Sequence, residues 1–329
     1  MRALLFALLI VLAGCSGGGD KRHAPPEPPD ALVHYLDGEA ADADVTPEGG
    51  LILMGGSTDV DAAFEWASAR AAGGDVVVLR TTGSDGYNLY LLNDIGGFDS
   101  VESMLVTSRA LAEDDYVAWR VESAEVIFLA GGDQWTYVAN WKDTPLEDAI
   151  HAAVARGAIL GGTSAGLAVL GELAFSAENG SVTSPEALAD PYDPLVILET
   201  GFLALPLLGG VVTDSHFGAR DRMGRLIAFQ ARADTDGLAT TPIGLGVDEE
   251  TALVVDASGA GAVLGSGNVY VVSATGAPAH CVQGDPLVHA VEVLRMQPGD
   301  TATFPGAVSD GVAYAVLASN GALQPASPY

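Results

Sequence analysis

From residue 50 onward, short apolar runs alternate with stretches of helical spacing, and several runs stop at glycines. Leu51-Ile52-Leu53-Met54 ends in Gly55-Gly56, Asp75–Leu79 leads to Thr82-Gly83, Glu125–Ala130 ends in Gly131-Gly132, and Ala158-Ile159-Leu160 enters Gly161-Gly162. Ser103–Val106 is another apolar run, and between the runs lie Asp59–Ala72, with Ala63, Trp66, Ala67 and Ala71 on one side, a helix-like stretch after Val106 through Trp119, and Leu146–Ala155. Runs that are apolar throughout and separated by helices predict strands of a parallel sheet covered on both faces. Binding then belongs at the carboxyl ends of the strands, where all of these glycine turns fall.

One turn carries chemistry. Gly162-Thr163-Ser164-Ala165-Gly166 lies between a strand and the helix-like run Leu167-Ala168-Val169-Leu170. A sharp strand-to-helix turn lifts a serine hydroxyl out of the sheet, and small neighbours let a substrate approach. The amide of Ala165 points where an oxyanion would form. The pentapeptide recurs by chance, so the serine needs a base to be read as a nucleophile. Of six histidines, His23 lies in a Gly/Pro-rich stretch, and His34 and His151 have no strand-end character. His280 and His289 fall in a late β-rich region. His216 follows the strand-like Gly210-Val211-Val212-Thr213 within Asp214-Ser215-His216-Phe217, and is the base predicted by position. A helix with Arg222 and Arg225 is expected over Asp221–Ala233, just after Arg220.

After Gly237 the pattern changes to short β segments, Thr251–Val255, Gly261–Leu264 and Val269–Ser273, expected to extend or border the same sheet. Residues 174–208, rich in Pro, Gly, Ser and Asp, are expected as a long excursion beside the site. With 329 residues, 49% of them hydrophobic, residues 31–329 are expected to form a single catalytic domain.

Forty-three acidic against 14 basic side chains give a formal charge of −29, which disfavours nucleic acid as a partner. The start of the chain has the pattern of a targeting segment. Arg2 precedes the apolar run Leu4–Leu12, too short to span a bilayer, and Leu12-Ala13-Gly14-Cys15 resembles the bacterial lipobox. That resemblance implies a signal peptide over residues 1–15 with Cys15 as the lipidated residue. Residues 16–30 are expected to be a flexible Gly/Pro tether. Ser16 follows Cys15, with no Asp there to hold the protein at the inner membrane, so an outer-membrane anchor in the cell envelope is expected, facing periplasm or exterior. Membrane contact would be through the anchor only. With Cys15 lipidated, Cys281 is left without an intrachain partner, and no clustered Cys/His pattern predicts a metal.

Taken together, Gly161-Gly162-Thr163-Ser164-Ala165-Gly166, Gly131-Gly132-Asp133-Gln134 and Asp214-Ser215-His216-Phe217 with Arg220, Arg222, Gly224 and Arg225 resemble the cyanophycinase-like serine peptidases, peptidase family S51. Gly55-Gly56 and Gly73-Gly74-Asp75-Val76-Val77-Val78 fit as well, so that the likeness covers roughly residues 50–255. It implies a three-layer α/β/α sandwich with a mostly parallel central sheet, of class I glutamine amidotransferase-like type, with a β-rich extension. It implies Ser164 as nucleophile, His216 as base, an oxyanion hole from Gly131, Gly132 and Ala165, and a peptide substrate. Gln134, Asp214, Ser215, Arg220, Arg222 and Arg225 would line or support the substrate pocket, with Asp214 suited to a cationic group and an arginine to a carboxylate. The spacing of the family suggests an acid between serine and histidine, for which Glu178 is preferred over Glu172. No metal or organic cofactor is implied, and a homodimer remains open. Ser215 stands where polymer-cleaving members resemble Asp-Gln-His-Phe. Two other readings remain: an esterase of α/β-hydrolase type, using His280 or His289, and a binding lipoprotein on the same fold.

Overall fold

The computed structural model describes residues 25–304 and 308–329. The expected signal peptide, Cys15 and most of the expected tether lie outside the described residues. Among those described, ten strands form one sheet and eight another. In chain order the strands are β1 (Val33–Gly38), β2 (Gly50–Met54), β3 (Val76–Arg80), β4 (Ser100–Leu105), β5 (Val126–Leu129), β6 (Ile159–Thr163), β7 (Leu173–Phe175), β8 (Leu198–Thr200) and β9 (Val211–Asp214). There follow β10 (Ile243–Val247), β11 (Thr251–Asp256), β12 (Ala260–Gly265), β13 (Val269–Ala274), β14 (His289–Met296), β15 (Thr301–Thr303), β16 (Val308–Ser309), β17 (Val312–Ser319) and β18 (Ala322–Gln324).

The first sheet runs β1-β4-β3-β5-β6-β2-β11-β12-β15-β16. Its centre, β4-β3-β5-β6-β2, is parallel throughout. Side chains alternate across it with the strand period of two. Leu51, Leu53, Val77, Leu79, Ile127 and Leu129 face the helices Asp115–Ser123, Gln134–Trp141 and Pro145–Arg156. Ile52, Met54, Val76, Val78, Val126 and Phe128 face the helix Asp61–Ser68. Both faces are therefore apolar, which is why these strands read as unbroken hydrophobic runs. This is the three-layer α/β/α arrangement.

The late strands depart from expectation. Of these, β11, β12, β15 and β16 extend the first sheet beyond β2, each antiparallel to the strand before it. The others, β10, β13, β14, β17 and β18, build the second sheet with β7, β8 and β9 in the order β18-β17-β14-β13-β10-β9-β7-β8, in which β9 is parallel to β10 and β7. Its inner face shares a core with the first sheet through Leu245, Val247, Val269, Val271 and Met296. Its other face is covered by the helices Met223–Thr235 and Ser184–Ala189. The strand that leads to His216 thus belongs to the second sheet, whereas the strand that leads to Ser164 belongs to the first. Among the described residues no helix is long and apolar enough to cross a membrane.

Candidate active site

Ser164 sits between β6 and the helix Ala165–Ala168, with φ 55° and ψ −114°. This region is sparsely populated for residues with a Cβ, and its occupation marks functional turns. The flanking glycines are required by contact. A Cβ on Gly166 would lie 2.0 Å from Leu129 O, and one on Gly162 would lie 2.6 Å from the carbonyl carbon of Gly166. The helix can therefore start hard against β5 and β6, leaving the serine at the apex.

The Ser164 hydroxyl donates to His216 Nε2 at 2.8 Å. His216 follows β9 with φ 47°, and its amide donates to Gly55 O at 2.8 Å. Its Nδ1 meets Glu249 Oε1 at 2.7 Å, which places the proton on Nδ1 and leaves Nε2 free to accept. Burial holds the imidazole below its ordinary pKa, and Arg220 and Arg222 act in the same direction, while Glu249 pulls it up. Gly56 makes room for the pair: at its φ of 101°, a Cβ would fall 2.6 Å from the His216 ring and 3.1 Å from Ser164 Cβ.

The carboxylate that meets the imidazole is Glu249, which the sequence reading did not weigh. Glu178 is exposed, and its backbone amide donates to Ser176 Oγ at 3.3 Å. Glu172, the second choice, accepts from the Gly210 amide. Position explains the difference. Glu249 lies in the three-residue step from β10 of the second sheet to β11 of the first, beside the end of β9. The signal was the acidic Asp248-Glu249-Glu250 after the apolar Ile243–Val247, another strand end. The order is serine, histidine, then acid.

Gly131 lies against the serine, a Cβ there being 3.4 Å from Ser164 Cβ, and Gly132 is exposed beside it. Ala165 opens the helix, whose first N–H groups lack intrahelical partners. The residues predicted to read substrate divide into two sets. Asp214 is buried and already paired: Arg225 reaches it through Nε at 2.7 Å and Nη2 at 2.6 Å, and Arg222 Nη1 at 3.1 Å. Arg225 also donates to Ser181 Oγ and Val182 O. The expectation that Asp214 receives a substrate's cationic group is therefore corrected, because two guanidinium groups occupy its oxygens. Ser215 is buried, with its carbonyl accepting from Arg222 at 2.8 Å. Burial pushes the pKa of Arg222 down to about 10. Arg220 is exposed, and with Arg222, Ser181, Thr183 and Ser184 it lines a cavity of about 250 Å³. Gln134 is half-buried at the start of its helix, donating to Phe175 O at 3.4 Å.

The histidines of the esterase reading stand apart from the serine's partner. His280 is paired with Asp285 at 3.0 Å, and His289 is buried with no hydrogen bond to either ring nitrogen. Among the described residues, no group of three or more His, Cys, Asp or Glu is placed to hold a metal ion.

Residues 96–263, half of the chain, match the sequence pattern of peptidase family S51. A cyanophycinase of Synechococcus elongatus is 39% identical over 184 residues, 55% of this chain and 52% of that protein. A cyanophycinase of Trichormus variabilis is 36% identical over 180 residues, 54% of this chain and 55% of that one. The chain thus spans about half the length of the curated relatives it matches. In fold it is similar to the crystal structure of a peptidase from an acI-B1 actinobacterium, with a TM-score of 0.50 and 20% identity over 78% of this chain and 98% of the other. With the match across half its length, the chain belongs to peptidase family S51.

Proposed function

We propose that the chain is a serine peptidase or isopeptidase of the bacterial cell envelope, acting on short or Asp/Arg-containing peptides through an acyl-enzyme. The observation that carries this reading is the continuous relay from Ser164 Oγ to His216 Nε2 at 2.8 Å and from His216 Nδ1 to Glu249 at 2.7 Å. Ser164 attacks the scissile carbonyl while His216 takes its proton. Glu249 holds the Nδ1–H tautomer and stabilises the imidazolium as it forms. The amides of Ala165 and of the Gly131-Gly132 turn receive the oxyanion. His216 then protonates the leaving amine, and water releases the acyl group by the reverse route. Because burial lowers the His216 pKa, the base stays neutral to a lower pH than an ordinary histidine would.

The cavity lined by Arg220 and Arg222 favours an anion. Asp214 is neutralised by Arg225, so Arg220 and Arg222 leave net positive charge to meet a substrate carboxylate. Ser215 acts on that cavity through Arg222, and cyanophycin itself is expected to be cleaved weakly. The test is amine release from cyanophycin and from Asp-containing dipeptides by wild type and Ser164→Ala. Loss of a triad nucleophile costs on the order of 10⁶-fold in kcat, and substantial residual turnover in the variant would assign the nucleophile elsewhere. Lipidation at Cys15 is part of the same proposal, supported by Leu12-Ala13-Gly14-Cys15. Cys15→Ala should move the protein from membrane to soluble fractions, and its retention in membranes would refute the anchor.

A further inference from the structure

The loop His216–Arg222 carries the proposed base at one end and leads at the other into the helix Met223–Thr235. Two of its non-glycine residues are left-handed, His216 at φ 47° and Asp221 at φ 51°. Such backbone persists only where the surroundings over-determine it. Near His216 the supports are the Gly55 carbonyl, the Val247 carbonyl, which accepts from Phe217 N at 3.2 Å, and Asp248 Oδ1, which accepts from Gly218 N at 2.8 Å.

The other end is held from far along the chain. The Tyr329 hydroxyl donates to Asp221 Oδ1 at 2.8 Å and accepts from the Met223 amide at 2.9 Å. Its ring stands edge-on to Phe217, the neighbour of His216, at 6.0 Å, and edge-on to Tyr270 at 5.9 Å. Tyr270 in turn points its hydroxyl at Asp248 Oδ2, 3.4 Å away. Tyr329 is itself fixed, since the preceding Pro328 is buried and its carbonyl accepts from Tyr314 on β17. Burial and Asp221 raise the phenol's pKa, so it remains a neutral donor.

We propose that Tyr329 is a positioning residue for His216, clamping the loop His216–Arg222 from the β-rich part of the chain so that the imidazole stays aligned on Ser164. The proposal rests on the serine-peptidase reading. The phenol ties Asp221 to the first helical amide, and the ring braces Phe217. Removal of the hydroxyl frees the strained end of the loop, and the loop relaxes toward solvent. The charged groups that act on His216 are Glu249, Arg220 and Arg222, and the two arginines belong to the loop itself.

Two measurements on the full chain test this in Tyr329→Phe and Tyr329→Ala. One is the rate at which a fluorophosphonate labels Ser164, which needs the aligned base but no peptide contact to the arginines. The other is the titration of the His216 ring by NMR, assigned by its absence from His216→Ala. Tyr329→Phe is expected to label about tenfold more slowly, to raise the His216 pKa toward that of an ordinary histidine, and to melt within a few degrees of wild type. Tyr329→Ala should show both effects more strongly. Wild-type labelling and an unmoved His216 titration in Tyr329→Phe would overturn the proposal, as would slow labelling with the titration unmoved. Wild-type protein that the probe does not label would overturn the peptidase reading, and the titration then decides the role of Tyr329 on its own.

Discussion

Glu249→Gln separates orientation of the base from the presence of the base. The carboxylate lies 2.7 Å from His216 Nδ1, so its charge sits about 4 Å from the centre of the imidazolium that forms during acyl transfer. At an effective dielectric near 20, such a pair is worth about 4 kcal/mol, or about three decades in rate. The Glu249 side chain is 36% exposed, and solvent screening reduces that figure. The expected fall in kcat/KM is therefore about 10² to 10³-fold, less than a fully buried acid would give. The sign of the pH effect is also fixed. Glu249 raises the His216 pKa against burial, so the variant's acid limb should move to lower pH even as its plateau drops. The assay is the pH profile of kcat/KM on an Asp-containing dipeptide, with Glu178→Gln alongside and expected within threefold of wild type. A Glu249→Gln enzyme that keeps more than a third of wild-type activity, or whose acid limb moves upward, would refute the reasoning.

Gly56→Ala puts a methyl 2.6 Å from the His216 ring at a backbone φ of 101°; it should cost about 10²-fold or more in kcat by displacing the base, with the far-ultraviolet circular dichroism unchanged, and near-wild-type turnover would show that the turn yields instead. His289 is buried, lacks a partner at either ring nitrogen and has its pKa lowered by burial. The unfolded chain binds this proton more readily, so the residue's contribution to stability is present above the ordinary histidine pKa and is lost as pH falls through about 6.5. Urea unfolding of His289→Leu should show a flatter loss of stability from pH 7 to pH 5 than wild type, and an identical slope would refute the assignment.

The elements legible in the sequence were those set by local contact. The elbow was visible because helix and strands can meet at Ser164 only through glycines, and His216 because it follows an apolar strand. The parallel centre was visible because strands buried on both faces carry no polar alternation. The second sheet was not legible in the same way. Ile243-Gly244-Leu245-Gly246-Val247 and Thr251–Val255 are similar apolar runs, yet they enter different sheets, because pairing partners are chosen over long sequence separations. Glu249 was hidden for the same reason: its neighbour is His216, brought beside it by the pairing of β9 with β10. Asp214 was read as free for a cationic group, since nothing local to Asp214-Ser215-His216 reveals that Arg225 will turn back onto it.

Serine comes from one sheet, histidine from the other, and the acid from the three residues that step between them. The proposed triad is therefore assembled across a seam, and its spacing measures how the two sheets are seated. A slip of one sheet against the other by an ångström would leave every strand and helix intact while parting Ser164 from His216. Heat inactivation should then precede the loss of secondary structure, making catalysis the more sensitive thermometer of the pair. The same architecture offers a place for adjustment: changes in the shared core at Leu245, Val247, Val269 or Met296 would retune the alignment of nucleophile and base without touching either.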